Sequence, residues 1–111
     1  MIDPDGLAAR YFAAMRASDR EGLLVLFAPD ATLSVPDGRT FEGIEAIGAW
    51  FTSLFGAVSP SPTCLAEIVG RGAIAVEIET KLADGVVRRT ANFFDLNERG
   101  LIRALRSYAR A

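Results

Sequence analysis

The chemistry open to this chain is narrowed first by what it lacks. Among its 111 residues there is no histidine, and Cys64 is its one cysteine. Without histidine there is no Ser-His-Asp or Cys-His nucleophile pair, no imidazole base and no histidine metal site. Cys64 has no second thiol for an intrachain disulfide, and it reads as a packing residue or an inert surface thiol. What remains is a small set of oxygen and amide groups. Tyr11 sits in Arg10-Tyr11-Phe12-Ala13-Ala14-Met15, on a face otherwise built from Leu7, Ala8, Phe12 and Met15. A hydroxyl placed there either meets a backbone carbonyl in the core or donates to a bound molecule. Asp37 stands in Pro36-Asp37-Gly38 and Asp30 follows Pro29. An aspartate in the first setting ordinarily makes a turn and in the second a local cap.

These groups must be positioned by elements that the spacing predicts. Asp3-Pro4-Asp5 starts a first helix, with Asp3 as cap and Pro4 in the first turn. Ser18 to Glu21 fits the S-x-x-E capping box, so a second helix starts near Asp19. Leu23, Leu24, Leu26 and Phe27 give it an apolar side, and Pro29 stops it. Ala31 to Val35 reads as a strand ending in the Pro36-Asp37-Gly38 turn. Gly43 to Phe55, with Ile44, Ile47, Trp50, Phe51 and Leu54, is a third amphipathic helix, and Val58 to Thr63 a loop. Four strands follow, Cys64 to Val69, Ala73 to Leu82, Val86 to Leu96 and Leu101 to Ala109, separated by glycine-bearing turns. Ile74, Val76 and Ile78 alternate with Ala75, Glu77 and Glu79, so one sheet face takes the helices. Three helices before an antiparallel meander is an α+β order, and residues 1–111 read as a single domain.

Half the residues are apolar, 23% are charged and the net charge is −2, as in an ordinary globular protein. No basic stripe of the kind that binds nucleic acid is present; Arg99, Arg103, Arg106 and Arg110 cluster but read as a solvated strand face. Met1 to Arg10 lacks a basic start and an apolar run, and no stretch reaches the length of a membrane span, so we expect a cytoplasmic protein without membrane association. No glycine-rich phosphate loop or ligand cluster appears, and we expect no cofactor and no metal.

The order of elements in Arg10–Gly38 resembles the opening of the SnoaL-like proteins, the superfamily that includes nuclear transport factor two and the ketosteroid isomerases. Phe94-Asp95-Leu96, Gly100 and Leu101-Ile102-Arg103 look like its closing strands. The resemblance implies three N-terminal helices packed on a curved, mostly antiparallel sheet that forms a cone-shaped pocket, and a homodimer paired through the outer sheet face. Ketosteroid isomerases use an aspartate base and two donors that hydrogen-bond an enolate oxygen. By that comparison Tyr11 takes the place of the oxyanion tyrosine. Asn92, in Asn92-Phe93-Phe94, takes that of the second donor, and its amide donates at every pH. Val35, just before Pro36, occupies the place of the base and cannot accept a proton. Asp37, two residues on, is the candidate to replace it from the cavity mouth.

Met15, Val35, Trp50, Phe51 and Phe94 would be ligand-binding walls, joined by Thr90, which shares the parity of Asn92. Arg88 shares it too, near the strand end. Ala104, Arg106 and Tyr108 share one face of the last strand. Tyr108 joins the ligand-binding set if that face turns inward, whereas Arg106, costly to bury unpaired, belongs at the outer face or rim. The implied function is the binding of a small apolar, carbonyl-bearing molecule, with cofactor-free isomerase, cyclase or dehydratase chemistry polarised by Tyr11 and Asn92. The alternative is a non-catalytic dimerisation or partner-binding module. Epoxide hydrolysis would need an aspartate–arginine–aspartate set, and Asp95 has the wrong parity for it.

Overall fold

The computed structural model describes residues 4–57, 61–82 and 84–109. Helix α1 spans Pro4–Arg16, and α2 spans Arg20–Leu24. The cap of α2 is Asp19, whose carboxylate accepts from the Gly22 N–H at 3.0 Å. Ser18, the expected capping-box residue, instead makes the turn, with a φ of 52°. The capping role expected of Asp3 lies outside the described residues.

Strand β1 spans Phe27–Ser34, so α2 ends earlier than its apolar side suggests, and Phe27, Pro29 and Asp30 belong to a strand. Pro29 is tolerated there because the β1 register shifts between Phe27 and Thr32, and a residue without an N–H fits such an irregularity. A short strand β2, Thr40–Glu42, pairs antiparallel with β1 and has no counterpart in the sequence expectations. Helix α3 spans Ile44–Ala57. Strands β3 (Ser61–Gly70), β4 (Ala73–Lys81), β5 (Val87–Leu96) and β6 (Ile102–Ala109) follow. Ser61, Pro62 and Thr63, expected in a loop, open β3; the remainder of that loop lies outside the described residues.

The six strands form one sheet in the order β2-β1-β6-β5-β4-β3. All neighbours are antiparallel except β1 and β6, which run parallel. The meander is local, but this pairing joins the two ends of the fold. Helix α1 packs over β3 and β4, and α3 over β1 and β2. Under them lies the core, with Leu7, Leu23, Ile47, Phe51, Ile74, Phe94, Ile102 and Leu105 almost fully buried. The predicted alternation of β4 holds, with Ile74, Val76 and Ile78 buried and Glu77 exposed. Register shifts interrupt β3 near Cys64 and Ala66, and β5–β6 near Asp95 and Leu96. Extra residues of this kind bend a strand. They also exchange its inward and outward faces, which matters for the site.

Candidate functional site

Between the helices and the sheet lies a cavity of about 180 Å³. Tyr11, Phe12 and Met15 of α1 line it on one side, and Trp50, Phe51 and Leu54 of α3 on another. The sheet contributes Leu33, Val35 and Pro36, then Ile78 and Thr80, then Arg88, Thr90 and Asn92, and finally Leu105 and Ser107. The lining is apolar save for a few hydroxyls, one carboxamide and one guanidinium, the usual mixture of a small-molecule site.

Two polar groups sit at its depth. The Tyr11 ring packs edge-on against Phe94 and Phe12, with centroids 5.0 and 5.5 Å away. Burial alone pushes its phenol pKa well above the ordinary range, so the hydroxyl keeps its proton and acts as a donor. Asn92 is 5% exposed, and its Oδ1 is buried without a hydrogen-bond partner among the described residues. A buried polar atom left unmatched costs about 1–3 kcal/mol, so an arrangement that retains one calls for an explanation. Ser107 lies directly across the β5–β6 ladder from Asn92 and also lines the cavity.

The cavity brings together Tyr11, Met15, Val35, Trp50, Phe51, Thr90 and Asn92 from the expected set. Three others lie elsewhere. Asp37 is exposed in its turn, where it accepts from the Arg39 backbone N–H at 3.0 Å and from Arg39 Nε at 2.8 Å. The backbone hydrogen bond first, then the guanidinium, hold its pKa below the usual carboxylate value. It is thus a weak base, engaged by its own loop and absent from the cavity lining. Phe94 faces inward but stands behind Tyr11 as core, with none of its surface exposed. Tyr108 is on the opposite face of the sheet, 53% exposed and packed edge-on against Phe93. Between the pairs Leu96–Ile102 and Asp95–Ala104, Arg103 is an extra residue in β6. That bulge turns Leu105 and Ser107 inward and Arg106 and Tyr108 outward. Arg106 forms an ion pair there with Asp95, so both lie outside the cavity, as expected for Asp95.

Ser107 was missed for the same reason. Ile78 and Thr80 carry a readable signal, since they continue the inward parity of Ile74 and Val76. Cys64 is exposed in β3, and partial desolvation, then Glu67, raises its pKa, which disfavours a reactive thiolate. Among the described residues no group of three or more His, Cys, Asp or Glu could hold a metal ion, and no helix is long and apolar enough to cross a membrane.

No curated protein matches the sequence. Solved structures do. A candidate polyketide cyclase from Sinorhizobium meliloti is 23% identical, with 96% of this chain and 99% of that one covered at a TM-score of 0.83. A protein from Mycobacterium tuberculosis is 26% identical over 97% of this chain and 92% of that one, also at 0.83. A computationally designed 17-OHP binder is 28% identical over 92% of this chain and 89% of its own, at 0.81. The model of the SnoaL-like domain matches residues 8–105, and the chain belongs to that family.

Proposed function

We propose that this chain binds a small apolar molecule carrying a carbonyl oxygen, with the oxygen held between Tyr11 and Asn92 at the depth of the cavity. The Asn92 carboxamide, whose Oδ1 is buried without a partner among the described residues, carries this reading. In an apolar wall that acceptor is a standing penalty, which a bound hydroxyl or other donor removes, and the Nδ2 of the same carboxamide can donate to a carbonyl oxygen. The designed 17-OHP binder, which shares this fold, supports an apolar ring system as occupant. Size favours a small one. An enclosed space of about 150 Å³ holds a benzene molecule, so 180 Å³ suits about one or two rings, and a larger body would project through the mouth.

Any catalysis at this site is proton transfer beside the carbonyl, in an isomerisation, cyclisation or dehydration. Tyr11 and Asn92 supply the electrophilic half, since donors in a low-dielectric site stabilise a developing oxyanion. The basic half is missing: Val35 lines the cavity and Asp37 does not. The proton acceptor is therefore the substrate's own group or water. Binding is the activity this chain performs unaided.

Trp50, the chain's one tryptophan, lines the cavity and reports occupancy by fluorescence quenching. Titration with 2-acetylnaphthalene, a neutral two-ring ketone, should give saturable quenching. Tyr11→Phe should weaken that binding by about 1–3 kcal/mol, the worth of a donor to a buried carbonyl. Unchanged affinity in the folded variant would remove Tyr11 from the site.

The outer sheet face carries Val87, Phe93 and Tyr108 substantially exposed. We read it as the seat of a second copy, giving a cytoplasmic homodimer. Sedimentation equilibrium should give twice the chain mass for the native protein and a shift toward monomer for Phe93→Lys. A native monomer at micromolar concentration would refute the pairing.

A further inference from the structure

Exposure rises steadily along the inward face of β5. Asn92 is buried, Thr90 is half-buried and Arg88 is exposed, yet all three line the cavity. Arg88 is thus the charged residue of its wall and stands at the mouth, beside Thr80, its partner in the β4–β5 register. Four other arginines, Arg20, Arg39, Arg89 and Arg106, are each paired with a carboxylate. Arg88 has no carboxylate within salt-bridge distance among the described residues. Its neighbour Arg89, on the opposite face, takes Glu79. A guanidinium held over the entrance of an apolar cavity, with its fork unoccupied, matches one ligand group above others: a planar carboxylate, which it can bind through two parallel hydrogen bonds.

We infer that the ligand is an apolar carboxylate, its acid on Arg88 at the mouth and its carbonyl oxygen on Tyr11 and Asn92 at the depth. This rests on the cavity reading proposed above and adds a second fixed point to it. The span is consistent with a small body. A strand rises about 3.3 Å per residue, so the Cα atoms of Arg88 and Asn92 are about 13 Å apart, and the long arginine side chain shortens the gap that the ligand bridges. One or two rings bearing a ketone at one end and a carboxylate at the other fit both the length and the enclosed volume. The same arrangement orients the ligand, because reversing it would press a charged carboxylate into the apolar depth, away from Arg88.

The test compares two probes that differ only in the acid. Neutral 2-acetylnaphthalene reads the cavity alone; 6-acetyl-2-naphthoate adds the carboxylate. In the native protein the acid should bind about fivefold to tenfold more tightly, as expected for a charged hydrogen bond at a partly hydrated site. That advantage should shrink as salt is raised, because the mouth is exposed. Arg88→Gln should abolish the advantage, so that the acid and the neutral ketone bind that variant equally, while Arg88→Glu should make the acid the weaker ligand. Equal affinity of the two probes for the native protein, or an advantage that survives in Arg88→Gln, would overturn the inference while the cavity reading stands. If neither probe quenches Trp50, both readings fall together. Arg88 is exposed and packs no core, so the variants should keep the native melting temperature, and the salt titration requires no variant.

Discussion

Val35→Asp should convert the cavity into a proton-abstracting site and give turnover of 3-cyclohexen-1-one to its conjugated isomer. Val35 is 7% exposed and lines the cavity, and its backbone is fixed by the turn that follows, with its N–H donating to the Arg39 carbonyl at 3.0 Å and its own carbonyl accepting from Gly38. A carboxylate there would face the same enclosed space as Tyr11 and Asn92. Positioned general bases contribute typically about 10²–10⁴-fold, which is the gain expected over the native protein. Desolvation would lift the new carboxyl above its ordinary pKa of about 3.9, so it is protonated and idle at low pH and becomes active as pH rises through the shifted value. The rate should therefore climb with pH to a plateau. Adding Tyr11→Phe should remove much of the gain, since the base is useful only if the oxygen is polarised. A Val35→Asp protein that keeps its fold and binds the ketone, yet shows no turnover, would mean that the carbonyl does not sit on Tyr11 and Asn92. The charge will lower stability, and Val35→Asn separates that polar-burial penalty from the effect of the base.

How far such a site is legible before any coordinates can be judged strand by strand. Asn92 and Thr90 could be placed because β5 is regular from Val87 to Asp95, where a period of two is all the information required. Tyr108 could not, because the Arg103 bulge reverses the parity of everything after it in β6. Counting from the buried Ile102 puts Ala104, Arg106 and Tyr108 inward, whereas the structure buries Leu105 and exposes Tyr108. A bulge leaves little trace in residue type. The boundary between α2 and β1 failed for a different reason. Leu23, Leu24, Leu26 and Phe27 form a short apolar run, and such a run is compatible with a helix or a strand. Its outcome is set by the parallel pairing of β1 with β6, some seventy residues away along the chain. Strand β2, at three residues, was too short to give any period. Asp37 shows the opposite case: Pro-Asp-Gly says turn on local chemistry alone, and the turn wins over the more interesting catalytic role. Family likeness supplied the cavity, and the local rules supplied what stands at its edges.

Phe94→Ala should be the most destabilising single change near the site, and it should weaken ligand binding without removing a ligand contact. The sequence suggests Phe94 as a cavity wall; the structure puts it behind Tyr11, with no exposed surface and its ring 5.0 Å from the phenol ring in an edge-on pair. Truncating a fully buried phenylalanine costs about 3–5 kcal/mol, the transfer free energy plus the void left behind. In a domain of this size that corresponds to a fall in melting temperature of roughly 10–20 °C. The void would open directly beneath Tyr11, which then loses one of its two aromatic neighbours and keeps only Phe12, at 5.5 Å. A phenol free to tilt into that space no longer presents its hydroxyl at a fixed point, and a displacement of about 1 Å is enough to spoil a positioned donor. Affinity for 2-acetylnaphthalene should therefore fall even though the ring that was removed did not touch the ligand. Phe94→Leu retains most of the volume and should recover most of both losses. If the ketone affinity of Phe94→Ala equals that of the native protein at a temperature where both are folded, then Tyr11 is held by something other than Phe94. If affinity instead rises because the ketone occupies the new space, Phe94 is a wall after all. Saturating ketone should also raise the melting temperature of the native protein more than that of Phe94→Ala, since a ligand stabilises the folded state in proportion to the logarithm of its concentration over its dissociation constant. The two measurements, one spectroscopic and one thermal, must agree on the same loss of affinity.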